Sequence, residues 1–136
     1  HNVTDISEMF EGCTALTTVP LFDTSSVTNM ILMFGYCSNL TTVPLFNTHN
    51  VTSMTSVFEY CSALTTVPLF DTTNVVTMNS TFYNCTNVQS GALALYQQAS
   101  TQANPPTYHD GTFYNCGSNT TTGAAELAQI PSDWKA

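Results

Sequence analysis

Charge is what this sequence has least of. Arginine is absent, Lys135 is the one basic side chain, and charged residues make up 7% of the 136, against roughly 25% in an ordinary soluble protein. With nine acidic residues and a formal net charge of -8, no patch able to neutralise a row of phosphates can be assembled. Nucleic acid and anionic membranes are thereby excluded as partners. Long apolar runs are also missing: none approaches the roughly 20 residues needed to cross a bilayer, so no membrane insertion is expected. The first residues lack a basic-then-apolar signal segment, and the chain opens mid-pattern at His1, as if it were a portion of something longer. Thr, Ser and Asn keep the surface wet in place of charge, a composition suited to an extracellular, cell-surface or virion-surface setting.

What the sequence does have is a strict 24-residue period. Val27, Val51 and Val75 recur with Val3, and Cys37, Cys61 and Cys85 with Cys13. Phe10, Phe34, Phe58 and Phe82 keep the same step, as do Leu16, Leu40 and Leu64, Pro20, Pro44 and Pro68, and Phe22, Phe46 and Phe70. A period of this length with apolar residues in fixed slots points to one supersecondary coil per repeat, each stacked on its neighbours. Leu16 to Leu21, Leu40 to Leu45 and Leu64 to Leu69 have the LxxLxL spacing of a short parallel strand turning three apolar side chains inward. The prolines confine pairing to the residues before them. Asp23-Thr24-Ser25-Ser26 reads as a turn, and Met30, Met33, Phe34, Cys37 and Leu40 have the three- and four-residue spacing of a brief helical turn.

The expected fold is therefore an α/β solenoid, a leucine-rich-repeat-like stack of about five coils with one short parallel strand and one short helical turn each. A single repeat domain fills 1–136, with repeats at 3–26, 27–50, 51–74 and 75–98, a helix-containing insertion at 89–111, and an irregular C-terminal repeat or cap at 112–136. The helix is placed on Gly91 to Ala99, with Asn104-Pro105-Pro106 as its stop. Thr112-Phe113-Tyr114-Asn115-Cys116 copies Thr81-Phe82-Tyr83-Asn84-Cys85, and after a polar loop Leu127 to Pro131 copies the strand. Trp134 is expected over the open end of the stack. The first coil shows no such cap, and its Val3, Ile6 and Phe10 edge invites pairing with another copy or a larger assembly.

The motif FxxCxxLxxVP followed by VxxM, as in Phe34-Gly35-Tyr36-Cys37-Ser38-Asn39-Leu40 and Val51-Thr52-Ser53-Met54, resembles the BspA-like leucine-rich repeat surface proteins. The likeness covers residues 3 to 88 and, less closely, 112 to 134. It implies a bacterial, protist or phage-associated surface scaffold used in adhesion, and it carries no catalytic residues to transfer.

The chemistry-bearing residues favour structural readings. Cys13, Cys37, Cys61 and Cys85 are expected to form a column of free buried thiols, because copies stacked about 4.8 Å apart exceed the roughly 3.5–4.5 Å between Cβ atoms of a disulfide. Phe10, Phe34, Phe58 and Phe82, and Leu16, Leu40 and Leu64, form the parallel core ladders. Zinc is not expected, since CxxC and HxxxH spacings are absent and His1, His49 and His109 are scattered. Asp23, Asn47 and Asp71 make an oxygen column that could hold calcium but suits side chains capping their own turns. Paired threonines at 17 and 18, 41 and 42, and 65 and 66 read as a solvated surface and not as an ice-binding face. Asn2-Val3-Thr4 and Asn39-Leu40-Thr41 match a glycosylation sequon, a match that arises freely in so Asn- and Thr-rich a chain. Glu11 and Glu59 sit two coils apart, too far for an acid/base pair, and no Ser lies in a GxSxG context. No catalytic residue, metal or cofactor is therefore expected. The slots that vary from coil to coil remain: Tyr36, Tyr60, Glu59 and Tyr83. They form the expected binding surface for a host or cell-surface protein or glycan, in a non-enzymatic adhesion module. The alternative is a structural or receptor-binding component of a phage tail fibre or extracellular filament.

Overall fold

The computed structural model describes residues 3–136. His1, and the sequon reading that begins at Asn2, lie outside the described residues. The chain is a repeat solenoid, and its repeat is built from turns. In the first unit, Glu8, Phe10 and Gly12 donate their N–H groups to the carbonyls of Ile31, Met33 and Gly35 in the second, each at 2.8 Å. The residues between them, Met9, Glu11 and Cys13, donate instead to the carbonyl three positions back, at 3.1–3.3 Å. The alternation repeats from Leu32, Phe34 and Tyr36 to Thr55, Val57 and Glu59, and from Ser56, Phe58 and Tyr60 to Asn79, Thr81 and Tyr83. It continues into the fifth unit, where Asp110, Thr112 and Tyr114 accept from Ser80, Phe82 and Asn84.

This geometry replaces the expected helical turn. A helix needs φ near -63° throughout, whereas each unit carries two left-handed residues four positions apart. They are Glu8 and Gly12 (φ 60° and 72°), Leu32 and Tyr36 (57° and 63°), Ser56 and Tyr60 (58° and 60°), Ser80 and Asn84 (58° and 59°), and Gly111 and Asn115 (64° and 54°). The apolar spacing that suggested a helix buries the expected side chains all the same: Met30, Met33, Phe34, Cys37 and Leu40 are all within the core.

The expected strand is also absent. Parallel pairing is reduced to isolated bridges, in one row through Asp5, Asn29, Ser53, Thr77 and Tyr108, with a further bridge between Thr66 and Ser90. Along the LxxLxL segment the units are joined chiefly through Thr41 to Thr17 and Thr65 to Thr41, both N–H to carbonyl at 3.0 Å. Proline two residues on has no N–H to extend the pairing. The Phe46 and Phe70 amides then donate to the Pro44 and Pro68 carbonyls two residues back, a tight turn that throws the intervening leucine outward. Leu21, Leu45 and Leu69 are consequently exposed, at 66, 59 and 50%, and do not enter the core as the spacing predicted.

The core is a set of columns. Phe10, Phe34, Phe58, Phe82 and Phe113 stack at centroid separations of 5.2–5.8 Å with nearly parallel rings, and Trp134 extends the column 6.3 Å beyond Phe113. The ladder assignment needs correcting at its first member. Cys13 is exposed, and Phe10 and Leu16 are half-buried, because an end residue has a stacking neighbour on one side only.

Two helices depart from the repeat. Helix α1, Ala92–Thr101, falls where the insertion was expected, and its glutamines stand in for the backbone of a unit it displaces. Gln102 accepts from the Thr72 hydroxyl at 2.7 Å and donates to the Thr72 carbonyl, and Gln98 donates to the Phe70 carbonyl. Thr24 and Thr48, the counterparts of Thr72, donate to backbone carbonyls of the next unit instead. Helix α2, Thr121–Leu127, lies in what reads as a polar loop, so Leu127 to Pro131 is a helix end and a turn and not a strand. Thr120 caps α2 by accepting from Gly123 N–H, and Glu126 caps α1 by accepting from the amides of Gly91 and Leu93. A final 3-10 turn, Ser132–Trp134, closes the end: the Trp134 and Ala136 carbonyls accept from Phe113 and Gly111 where a further unit would. Among the described residues no helix is long and apolar enough to cross a membrane.

Gly123 tests the junction between α2 and the repeats. Alanine is ordinarily favoured over glycine in a helix by about 1 kcal/mol, but a Cβ here would lie 2.0 Å from the Val88 carbonyl oxygen and 2.4 Å from the Thr120 hydroxyl. Gly123→Ala is therefore expected to destabilise by roughly 1–3 kcal/mol in chemical denaturation, and unchanged or raised stability would contradict this packing.

Candidate functional site

Four tyrosines from successive units form one row on the surface. Tyr36 and Tyr60 stack with centroids 5.2 Å apart and planes within 12°, Tyr60 meets Tyr83 at 5.8 Å and 54°, and Tyr83 stacks on Tyr114 at 4.6 Å and 19°. Tyr36, Tyr60 and Tyr114 are each about two-fifths exposed. Tyr36 and Tyr60 come from the left-handed slot, whereas Tyr83 and Tyr114 come from the residue before it; the rings nevertheless join one row. The structure thus brings together all three tyrosines singled out from the sequence and adds Tyr114. The signal for Tyr114 is there in the sequence, in the copying of Thr-Phe-Tyr-Asn-Cys at 81–85 and 112–116.

Carboxylates line the beginning of the row. Glu59 is the foremost influence raising the pKa of the Tyr36 phenol, since a nearby negative charge disfavours phenolate, and Glu11 acts in the same direction. Glu11 is itself pushed up by the adjacent Glu8 carboxyl. At the far end the carboxylates give way to amides: Asn115 donates to the Asn84 side-chain oxygen at 3.0 Å. The lone cation is not on this ridge's roster of partners, because the Lys135 ammonium donates to the Leu127 carbonyl at 3.1 Å.

The other columns spend their polar atoms internally. Asp23, Asn47 and Asp71 each accept from the amide two residues on, at 2.9–3.0 Å, the turn-capping use of a short Asx side chain. Asp71 also bonds His49 of the preceding unit at 2.9 Å. Beside it lies a groove of about 510 Å³ lined by Leu45, Phe46, Leu69, Asp71 and Gln98 among others. Of the threonine files, Thr41 and Thr65 donate their hydroxyls to the Thr17 and Thr41 carbonyls at 3.2 Å. The cysteine column is similar: all five cysteines are free, and the thiols of Cys37, Cys61 and Cys85 donate to the carbonyls of Phe10, Phe34 and Phe58 at 3.0–3.1 Å. Among the described residues no group of three or more His, Cys, Asp or Glu is arranged to hold a metal.

Residues 1–102 match the family model described as "Mycoplasma protein of unknown function, DUF285". The chain belongs to this family. No curated protein matches. Among solved structures, the crystal structure of T. pallidum leucine rich repeat protein (TpLRR) is similar over 94% of this chain and 77% of that one, at 16% identity and a TM-score of 0.33, a likeness too faint to bear on the fold. A family of unknown function brings no activity with it, so the ridge must be read from its own chemistry.

Two measurements check the assignments of cysteine and aspartate. Burial pushes the Cys61 thiol up to about 12 and raises Cys37, Cys85 and Cys116 as well, while Cys13 is exposed. Since thiolate is the nucleophile, iodoacetamide at pH 8 is expected to label Cys13 alone in the folded protein and the other four only in denaturant, as read by mass spectrometry. Asp71 is held down at about 2 by the Thr73 hydroxyl and amide and by His49. A carboxyl depressed in the folded state contributes stability that is complete above its unfolded pKa and is lost as pH falls through the folded one. Asp5 and Asp23, lowered by Ser7 and Ser25, act with the same sign. Asp71→Asn, the side chain that Asn47 already uses for this turn, should therefore modestly flatten the fall in stability between about pH 4 and pH 2, and an unaltered slope would count against the Asp71 contacts.

Proposed function

We propose that the chain is a non-enzymatic recognition module of a surface-exposed protein, a leucine-rich-repeat variant of the BspA-like kind, and that the tyrosine ridge binds a host or cell-surface macromolecule. The likeness to BspA-like repeats rests on the FxxCxxLxxVP and VxxM spacing, and adhesion is the use such scaffolds suggest.

One internal comparison carries the reading. The slot shared by Gly12, Tyr36, Tyr60, Asn84 and Asn115 is left-handed in all five units. Gly and Asn enter that region readily, whereas other residues meet a penalty of roughly 1–2 kcal/mol. Two units nevertheless carry tyrosine there. Strain alone is no mark of function, since Leu32 is also left-handed; but Leu32 is half-buried, so packing accounts for it. Tyr36 and Tyr60 are exposed. Their mutual stacking returns about 0.5–1.5 kcal/mol, which no more than offsets the backbone penalty. Fold stability therefore gives little reason to keep tyrosine over asparagine, and a ligand gives one. Variable side chains presented from an invariant core are also how repeat proteins build extended binding surfaces.

The double variant Tyr36→Asn with Tyr60→Asn separates these contributions. It should stay within about 1 kcal/mol of the parent in chemical denaturation, because strain relief and lost stacking nearly cancel. At the same time it should lose at least tenfold in retention on an array of host-surface proteins and glycans. Equal retention of parent and variant, or none by the parent, would overturn the reading.

A further inference from the structure

The ridge has one position where a ring face stays open. Inside the row each ring is covered by the next, at 4.6–5.8 Å between centroids, leaving edges and hydroxyls outward. Tyr36 is the first ring of the row, and in the unit before it the same slot holds Gly12. A Cβ built on Gly12 would meet nothing within 4 Å. The space beside the Tyr36 ring is thus empty because a side chain is missing where every other unit has one. Around that gap the charge is of one sign. Glu59 and Glu11 both act on the Tyr36 phenol, and Glu8 stands close enough to Glu11 to repel its ionised form.

Resting on the recognition reading above, we infer that this gap seats an arginine or lysine side chain of a partner protein, its cation over the open face of Tyr36 and between the carboxylates of Glu11 and Glu59. An aromatic face attracts a cation within about 6 Å of its centre, and a guanidinium can lie flat on the ring while its N–H groups reach carboxylates at its edge. Complementarity of charge selects the occupant. The site offers only acceptors, and the whole chain has one base, Lys135, engaged with the Leu127 carbonyl. A bare metal ion is a poorer fit, since the described residues hold no set of three ligands for one. The row running on through Tyr60, Tyr83 and Tyr114 to the Asn84 and Asn115 amides offers hydroxyls and amides to an extended polypeptide following the bound residue. Sugars, in contrast, need ring faces, and the stacking leaves few.

The test uses the full chain and fluorescence anisotropy with labelled octapeptides alternating arginine and serine, beside the same peptides with citrulline, which keeps the shape of arginine and removes its charge. The arginine peptide should bind at least tenfold more tightly than the citrulline peptide and weaken as salt rises from about 0.05 to 0.5 M, where screening shortens to a few ångströms. Gly12→Asn fills the gap with a side chain the slot already accepts at Asn84 and Asn115, and should weaken arginine-peptide binding about tenfold, as should Tyr36→Asn. Glu59→Gln should cost about threefold. Asp23→Asn, which removes a carboxylate that does not act on Tyr36 and has Asn47 as its precedent, should change binding less than twofold. Near-ultraviolet circular dichroism verifies that each variant is folded. Equal affinity for both peptides, or an Asp23→Asn loss as large as that of Glu59→Gln, overturns the inference. If neutral peptides or glycans are retained in a manner that depends on Tyr36 and Tyr60, the ridge is still a recognition surface but not one for cations. If no probe depends on those tyrosines, both readings fall.

Discussion

The solenoid depends on how the amides of each turn segment are divided. From Glu8 to Cys13, and in every copy, alternate N–H groups point along the axis to the next unit and the others point back into their own turn. No stretch is long enough for a sheet and none regular enough for a helix, yet the backbone polar groups are satisfied, as burial requires. The division also dictates the conformation. An amide can turn from one use to the other at every residue only if the chain passes through the left-handed region twice per unit, and it does so in all five. With the backbone fixed in this way, identical side chains meet their copies once per unit, and the phenylalanine column, the thiol-to-carbonyl bonds and the buried threonine hydroxyls follow.

Burial was legible in the sequence because it depends on identity and spacing. Val, Met, Phe, Cys and Leu recurring at 24 residues announce columns whatever backbone carries them, and Cys37, Cys61, Cys85, Phe34, Phe58, Phe82, Leu40 and Leu64 are all in the core. The backbone was less legible. Spacings of three and four suggest a helix, and nothing in Leu32, Ser56 or Ser80 signals a positive φ; only Gly12, Asn84 and Asn115 hint at it, and they are readable as such only once aligned with Tyr36 and Tyr60. The outward leucines were missed for a related reason. LxxLxL presumes an alternating strand, whereas the Phe46-to-Pro44 and Phe70-to-Pro68 bonds insert a tight turn that reverses the facing of Leu45 and Leu69. Helix α2 went unseen because a threonine-rich segment with a glycine reads as loop, and its stability comes from the Thr120 cap and from the contact of Gly123 with Val88, neither of which is local in sequence.

Of the candidate site, the residues were legible and their geometry was not. Tyr36, Tyr60 and Tyr83 stand out as side chains that vary while their neighbours do not. That Tyr83, from a different slot, would join the same row depends on the left-handed turn bringing adjacent slots onto one ridge. That Gly12 leaves a gap depends on the surrounding space, which spacing alone does not describe.

The ends of the stack show why the ridge, and not a terminal face, is where this chain can afford chemical variety. A unit removed from the middle leaves donors and acceptors that only a faithful substitute can meet. At α1 that substitute is a pair of glutamine amides, which reproduce both the donor and the acceptor that a further repeat would present to Thr72. At the C-terminal end it is the Trp134 ring and the last carbonyls, which complete the aromatic column and the axial hydrogen bonds together. Each departure from the repeat is therefore constrained to mimic it. The outward side chain of the left-handed slot is under no such demand, because its backbone is already satisfied whether the residue is Gly, Asn or Tyr. Glycine there opens a space, asparagine supplies an amide, and tyrosine supplies a ring, so the repeat can change what it presents without disturbing what holds it together.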